Sequence, residues 1–225
     1  MNALDNPVWS TLVGHHARFG ARSGETCWFP SEIAPFVAVP SSIVVPNLDG
    51  ALAGGMSESA YFVGVCPNEL PRGWRYVAES RIVQMHPPPT FKDVGARSIV
   101  DLKVADWDKM HVLAQLAFPL FFRRRTAALG LYLGIFSGPE LAAMAGERMA
   151  FADLQEISGV CTHPAHLGHG HARALTLELL RRHRERGVRS FLHVSENNEA
   201  ARGLYRSMGF SERTSLTMRR VEHAP

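Results

Sequence analysis

The spacing of hydrophobic and polar positions changes character along this chain of 225 residues. In the first part, short apolar runs alternate with segments rich in Gly, Pro and Ser, a pattern that predicts strands. The predicted strands are Phe36–Val39, Tyr61–Val65 and Trp74–Met85. A proline-rich breaker from His86 to Thr90 then ends this pattern. We therefore predict two domains, a small α/β domain over residues 1–95 and a second domain over residues 96–225.

After the breaker, the periodicity becomes regular. The pattern predicts a strand, two helices and then two strands around a Ser-Gly-Pro turn at 137–139. In chain order these elements are Ser98–Val104, Trp107–Ala117, Arg123–Gly130, Leu131–Phe136 and Glu140–Met149.

The last third of the chain alternates strands with helices. Leu175 and Leu179 stand one helical turn apart in an amphipathic segment, and Gly187 follows where a helix commonly ends. The predicted order is strand Gln155–Thr162, helix His171–Arg186, strand Ser190–Val194, helix Glu199–Met208 and strand Phe210–Val221. A strand, a helix and a strand in this order imply a right-handed crossover and parallel pairing of the two strands.

Composition and charge narrow the class of protein. The chain is 46% hydrophobic and 20% charged, as expected of a globular protein with a sizeable core. The net charge is +3, and the arginines concentrated after residue 180 predict a solvated helix end rather than a nucleic-acid interface. We see no secretory signal and no apolar run of about 20 residues that could span a membrane. Three widely spaced cysteines predict buried thiols in a cytoplasmic protein.

The segment from Glu156 to Ala172 carries the clearest chemistry. A buried strand runs into a turn that contains Gly168 and Gly170, and a helix starts directly afterwards. The N-terminus of a helix presents unpaired N–H groups and the positive end of the dipole, and glycine lets a phosphate approach them closely. The sequence therefore predicts a site for a phosphate-bearing cofactor.

Two motifs in the right order resemble a known family. The segment Val160–Leu175 resembles motif A of the GNAT acetyltransferase superfamily, in which an Arg/Gln-x-x-Gly-x-Gly/Ala loop follows a strand; Leu167 stands in the Arg/Gln position. The segment Phe191–Phe210 is similar to motif B. The resemblance implies an α/β (α+β) GNAT fold: a mixed, mostly antiparallel central sheet with a splayed parallel strand pair and helices on both faces. A degenerate half-copy of this fold is one interpretation of residues 1–95.

The resemblance also implies acetyl-CoA as co-substrate and a set of residues that bind it. The pantetheine would pair with strand backbone, and the pyrophosphate would rest on the amides of the glycine loop. The implied strand and loop residues are Val160, Cys161, Thr162, Leu167, Gly168, His169, Gly170, His171 and Ala172. Asn198, Ala201 and Tyr205 complete the set on the following helix.

For catalysis, the resemblance assigns Tyr205 as the acid that protonates the departing CoA thiolate. We expect Glu156 to act as the base that deprotonates the acceptor amine, and Glu147 is its rival. Cys161 is a poor candidate for a nucleophile because strand alternation points it away from Val160. Four clustered histidines at 163, 166, 169 and 171 raise the question of a metal, but no Cys or carboxylate accompanies them in sequence, so we expect none.

These observations predict an acetyl-CoA-dependent N-acetyltransferase that acts on a primary amine by direct attack in a ternary complex. The expected partners are acetyl-CoA and an amine-bearing small molecule or peptide, without nucleic acid or membrane; a homodimer stays open. A non-catalytic acyl-CoA-binding sensor is the alternative. CoA release with a panel of amines separates the two.

Overall fold

The computed structural model describes residues 2–91, 98–117 and 119–224. Within these ranges the chain forms eleven strands and five α-helices. The strands are β1 (Ala21–Ser23), β2 (Thr26–Trp28), β3 (Val37–Ala38), β4 (Ser59–Val63), β5 (Trp74–His86), β6 (Val100–Asp101), β7 (Tyr132–Ser137), β8 (Glu140–Phe151), β9 (Leu154–Thr162), β10 (Arg189–Ser195) and β11 (Ser211–His223). The helices are α1 (Pro7–Leu12), α2 (Leu48–Ala53), α3 (Trp107–Ala117), α4 (His171–Glu185) and α5 (Glu199–Ser207).

The central feature is an eight-stranded mixed sheet in the order β4-β11-β5-β10-β9-β8-β7-β6. Strands β9 and β10 pair in parallel, and the other neighbours in this sheet pair antiparallel. A separate three-stranded sheet contains β1, β2 and β3. The predicted fold class, a mostly antiparallel sheet with one parallel pair plus a small N-terminal sheet, is confirmed.

The eight-stranded sheet crosses the boundary that we predicted near residue 95. Strand β5 lies between β10 and β11, where Met85 pairs with Leu192 and Ser80 with Met218. Strand β4 pairs with the outer edge of β11. Because β4 and β5 precede the boundary, residues 59–86 form one sheet with the C-terminal strands. The proline-rich breaker ends a strand and does not separate the two sheets.

The two faces of this sheet are covered differently. On one face, α4 buries Leu175, Leu179 and Leu180 against the sheet, and Tyr205 of α5 belongs to the same core cluster. Helix α4 begins and ends within one residue of its predicted bounds, because the leucine spacing and Gly187 determine both its buried face and its end. The opposite face packs against the N-terminal residues and α3.

One predicted element is wrong, and another is shorter than predicted. The segment Arg123–Gly130 forms only a 3₁₀ turn from Thr126 to Leu129. The Thr126 hydroxyl accepts a hydrogen bond from the Arg123 N–H and donates one to the carbonyl oxygen of Ile33, so tertiary contacts replace a longer helix. The predicted strand Ser98–Val104 pairs only at Val100 and Asp101.

Candidate active site

The parallel pair β9 and β10 separates halfway along its length. Residues from Arg189 to Leu192 pair with residues from Leu154 to Ile157, and the pairing then stops. Beyond this point β10 continues to pair with β5 on its other side. The edge of β9 from Ser158 to Thr162 that faces β10 therefore has no strand partner in the described sheet. Its backbone is available to pair with an extended ligand.

A β-bulge lies at the point of separation. Met144 of β8 pairs with Cys161, and Gly146 pairs with Ser158, so β9 carries one extra residue between these two pairs. Gly159 lies in this bulge with φ +61°, a conformation that favours glycine. A Cβ atom there would lie 3.1 Å from the Tyr132 ring. The bulge bends β9 next to the gap. The amide groups of β9 at this point have no strand partner across the gap.

A cavity of about 540 Å³ passes through the gap and joins the two faces of the sheet. From the face of α4, the cavity is lined by Asn198, Ala201 and Tyr205. Ser158, Gly159 and Val160 form its edge along β9. On the opposite face the lining includes Phe36, Tyr61, Phe121, Arg148 and Arg220. Four of the predicted site residues therefore lie around one cavity: Val160, Asn198, Ala201 and Tyr205.

Helix α5 and its N-cap carry three of these four residues. Asn198 caps the helix, and its Oδ1 accepts a hydrogen bond from the Ala201 N–H at 3.0 Å. Tyr205 lies two turns along the helix, 7% exposed, with its ring 5.5 Å from that of Phe210. Burial raises the pKa of Tyr205 above its usual range. The phenol therefore keeps its proton at neutral pH.

The predicted phosphate loop is an exposed turn at the start of α4. Gly168 and Gly170 have φ +80° and +72°, and Gly170 is the N-cap, with no side-chain cap hydrogen bond. The rings of His169 and His171 stack at 5.8 Å. Leu167, in the position where motif A has Arg or Gln, is 63% exposed. Backbone amides are thus the main groups that this turn offers to an anion.

The other predicted strand and loop residues differ in their surroundings. Cys161 packs into the core beside α3, and burial raises the pKa of its thiol to about 12, which makes it a poor nucleophile. Thr162 is half-buried at the end of β9 and pairs with Ala143. Ala172 is half-buried in the first turn of α4.

Glu156 does not fit the role of a free base. Its carboxylate is fully buried and accepts hydrogen bonds from Arg148 Nη2 at 2.8 Å, Arg148 Nε at 3.0 Å and the Met149 N–H at 3.2 Å. The ring of His193 donates a further bond from Nδ1 at 2.8 Å. Burial alone would raise the pKa of Glu156, but Arg148 and His193 outweigh it and hold the pKa at about 2. Glu156 thus stabilises its neighbours and lies behind the cavity wall.

The rival base, Glu147, lies on the other face of the sheet. It is buried against α4, where it pairs with His183 Nε2 at 3.1 Å and with Arg186. Burial would raise its pKa, but hydrogen bonds from His183, Arg186 and the Leu131 N–H hold the pKa below its usual range. Glu147 joins α4 to the sheet and does not line the cavity.

Sequence reasoning missed His193, which does line the cavity. Because Glu156 accepts from Nδ1, the Nε2 atom is left to accept from the Gln84 amide at 2.9 Å. Strand alternation in Phe191–Ser195 places His193 on the face opposite Leu192 and Val194. That alternation was the available signal, since it separates His193 from the residues that pack on α4.

Among the residues that the structure describes, one group of side chains could hold a metal ion. Glu140 at the start of β8 lies 3.5 Å from His163 Nε2 and 3.3 Å from His166 Nε2, so the structure brings a carboxylate to the histidine cluster that lacked one in sequence. The three side chains are exposed or half-buried. In residues 2–91, 98–117 and 119–224, no helix has the length and apolar character needed to cross a membrane.

The sheet order, the splayed parallel pair and the glycine turn before α4 define the class as a GNAT-type α/β protein. A family model described as FR47-like protein matches residues 132–221. A GNAT-family protein from Novosphingobium aromaticivorans is 30% identical, with 100% of each chain covered and a TM-score of 0.86. The chain therefore belongs to the GNAT family, as its two motifs predict.

Two further structures share the fold at lower identity. A GCN5-related N-acetyltransferase from Kribbella flavida is 13% identical over 100% of this chain and 97% of its own, with a TM-score of 0.66. A GCN5-related N-acetyltransferase-like protein from Streptococcus suis is 13% identical over 93% and 91% of the two chains, with a TM-score of 0.58. Among curated proteins, none matches the sequence.

Proposed function

We propose that this protein is an acetyl-CoA-dependent N-acetyltransferase that acetylates a primary amine. The observation that carries the proposal is the cavity that crosses the sheet where β9 and β10 separate, with Tyr205 in its wall. It gives a thioester and an amine separate approaches, from opposite faces, to one point between the strands. The membership of the chain in the GNAT family supports the same reaction.

The cofactor would bind along the unpaired edge of β9. Its pantetheine amides would pair with backbone between Ser158 and Thr162, in the manner of an added strand. The pyrophosphate would rest on the N–H groups from Leu167 to Ala172, at the positive end of α4. Asn198 and Ala201 would border the pantetheine on the side of α5.

The reaction needs no covalent enzyme intermediate. The neutral amine attacks the thioester carbonyl, a C–N bond forms, and the C–S bond breaks as the tetrahedral intermediate collapses. Amide N–H groups at the bulge near Val160 would stabilise the oxyanion. Tyr205 would give its proton to the departing thiolate and recover one from the nitrogen through solvent. Direct transfer is consistent with the buried, protonated thiol of Cys161.

The amine would reach the cavity already deprotonated. None of the described residues that line the cavity is Asp or Glu, and Glu156 is held behind Arg148 and His193 by four hydrogen bonds. The kcat/KM for the amine should therefore rise with pH in parallel with deprotonation of the amine itself.

The test is CoA release from acetyl-CoA with a panel of primary amines, compared between the wild type and Tyr205→Phe. The variant keeps the ring packed against Phe210 but lacks the acidic proton. We expect kcat to fall about 100-fold or more, as is typical for loss of a general acid, with little change in the Kd for acetyl-CoA. Tight binding of acetyl-CoA with no release of CoA in the presence of any amine would instead support the sensor alternative.

A further inference from the structure

The acceptor side of the cavity is predominantly aromatic. Phe36 and Phe121 stack with ring centroids 5.8 Å apart and an interplanar angle of 3°, and Tyr61 meets Phe121 edge to face at 4.9 Å. Val63 and Met218 add aliphatic surface to the same wall. A surface of this composition stabilises apolar groups through burial and aromatic contact. It offers little to a highly hydrated polar acceptor.

The charged residues in this part of the cavity have one sign. Arg148 and Arg220 are the charged side chains among the described lining residues. Glu156 accepts from Nε and Nη2 of Arg148, and the centre of its guanidinium group lies 5.0 Å from the centre of the Phe36 ring. Nε of Arg220 lies 3.4 Å from Glu222 Oε1, an ion pair without hydrogen-bond geometry among the residues that the structure describes. Arg220 thus retains hydrogen-bonding capacity beside the cavity.

We infer that the acceptor is an apolar primary amine that also carries a carboxylate, such as an aromatic or large aliphatic amino acid or a short peptide that ends in one. The inference rests on the proposed function and narrows the substrate class of the same site. The aromatic wall would take the apolar group, and the guanidinium group of Arg220 would bind the carboxylate by charge-assisted hydrogen bonds.

The same wall disfavours polycationic acceptors. A polyamine or an aminoglycoside carries several ammonium groups, and the cavity lining that the structure describes offers them arginines and no carboxylate. The carboxylates beside these arginines, Glu156 and Glu222, are already paired with them, so further ammonium groups would be desolvated without a counter-ion. This separates apolar amino acids from the other amines that a GNAT fold could accept.

The first experiment compares four acceptors at saturating acetyl-CoA. L-phenylalanine and glycyl-L-phenylalanine carry an aromatic ring and a carboxylate, phenethylamine carries the ring alone, and spermidine is a polycation. We expect kcat/KM to be highest for one of the two carboxylate-bearing compounds, about 10-fold or more above phenethylamine, because a hydrogen-bonded ion pair is worth that much in affinity. Spermidine should be the poorest acceptor.

The second experiment changes Arg220 and uses its neighbour as a control. Arg220→Gln removes the charge inside the cavity. Arg219→Gln removes a charge from the opposite face of the same strand, where Arg219 pairs with Glu79 at 2.7 Å. We expect Arg220→Gln to raise KM for the preferred carboxylate-bearing acceptor about 10-fold. The ratio of kcat/KM for that acceptor to kcat/KM for phenethylamine should then fall toward one. Arg219→Gln should preserve this ratio.

The outcomes separate the inference from the function on which it rests. Preference for spermidine, equal use of phenethylamine and the carboxylate-bearing compounds, or a ratio that Arg220→Gln does not change would overturn the acceptor class while N-acetyltransfer stands. Absence of CoA release with every acceptor, when acetyl-CoA still binds, would overturn the proposed function itself.

Discussion

Glu156 illustrates how a carboxylate at a predicted active-site position can have a structural role. The bulge in β8 leaves the Met149 N–H without a strand partner, and Glu156 accepts its hydrogen bond. The same carboxylate neutralises Arg148, which is 11% exposed at its side chain, and orients the ring of His193. An acceptor with four donors has no lone pair directed at the cavity. The charge of Glu156 therefore contributes to the free energy of unfolding.

At the residue scale, we predict that Glu156→Gln lowers the free energy of unfolding by about 3–5 kcal/mol, because it leaves Arg148 as an uncompensated buried charge. Urea denaturation at pH 7 measures this. Glu185→Gln removes an exposed carboxylate, 61% exposed at its side chain, from a surface ion pair with Arg181 and should cost at most about 1 kcal/mol. Equal effects of the two substitutions would contradict the structural role of Glu156.

The pH dependence of stability gives a second readout of Glu156. Its pKa in the folded protein is about 2, below the ordinary value of 4.5. Because the folded pKa is the lower one, the contribution is complete above pH 4.5 and disappears as the pH falls from there toward 2. The wild type should lose stability over this interval, and Glu156→Gln should lose less. Parallel curves for the two proteins would argue against a depressed pKa.

At the element scale, Gly159 determines the shape of the gap between β9 and β10. We predict that Gly159→Ala lowers kcat about 10-fold or more, because relief of the 3.1 Å contact with Tyr132 shifts the amide groups that, under the proposed function, lie beside the thioester. A positive φ also costs alanine about 1–2 kcal/mol of stability. Steady-state kinetics and urea denaturation measure the two effects.

The control for this prediction is Gly187→Ala at the end of α4. Gly187 has φ +71°, and no atom lies within 4 Å of the position that its Cβ would take. It should show the loss of stability without the loss of kcat. A similar decrease in kcat for both variants would mean that backbone strain in general, and not the bulge, limits catalysis.

Elements whose bounds are determined by neighbouring residues are predictable from sequence. Elements whose bounds are determined by tertiary contacts are not. Leucine spacing and Gly187 predict α4 within one residue at each end. The same reasoning fails at Arg123–Gly130, because the Thr126 hydroxyl bonds to Ile33, which lies far away in sequence. Motif A indicates the glycine turn, and strand alternation separates His193 from the residues that pack on α4, but the ion pair between Glu156 and Arg148 has no local signature.

At the scale of the whole molecule, the N-terminal residues are part of the sheet that forms the cavity. Strand β5 supplies pairing partners to both β10 and β11, and Tyr61 of β4 lines the cavity on the face opposite α4. We predict that residues 98–225 alone do not fold cooperatively, because β10 and β11 would lose the strand between them and expose unpaired edges. Thermal unfolding followed by circular dichroism tests this against the full chain.

Complementation sharpens that prediction. Residues 2–91 added to the fragment 98–225 should restore a cooperative transition, since the missing strand is supplied in trans. A fragment that shows a sharp transition by itself would instead restore the two-domain division at residue 95. The sequence could not decide between these outcomes, because a strand pair as distant as Ser80 and Met218 leaves no local pattern.

The position of β5 also has a consequence for the kinetics of folding. This strand ends at His86, yet its partner β11 begins only at Ser211. Contacts between residues so far apart in sequence slow folding, because the closure of a long loop precedes the stabilising pairing. Until β11 is complete, the hydrogen-bonding edges of β5 remain open to other chains. Because β11 completes the central sheet last, we expect slow refolding. Aggregation should compete with refolding more strongly as the protein concentration rises.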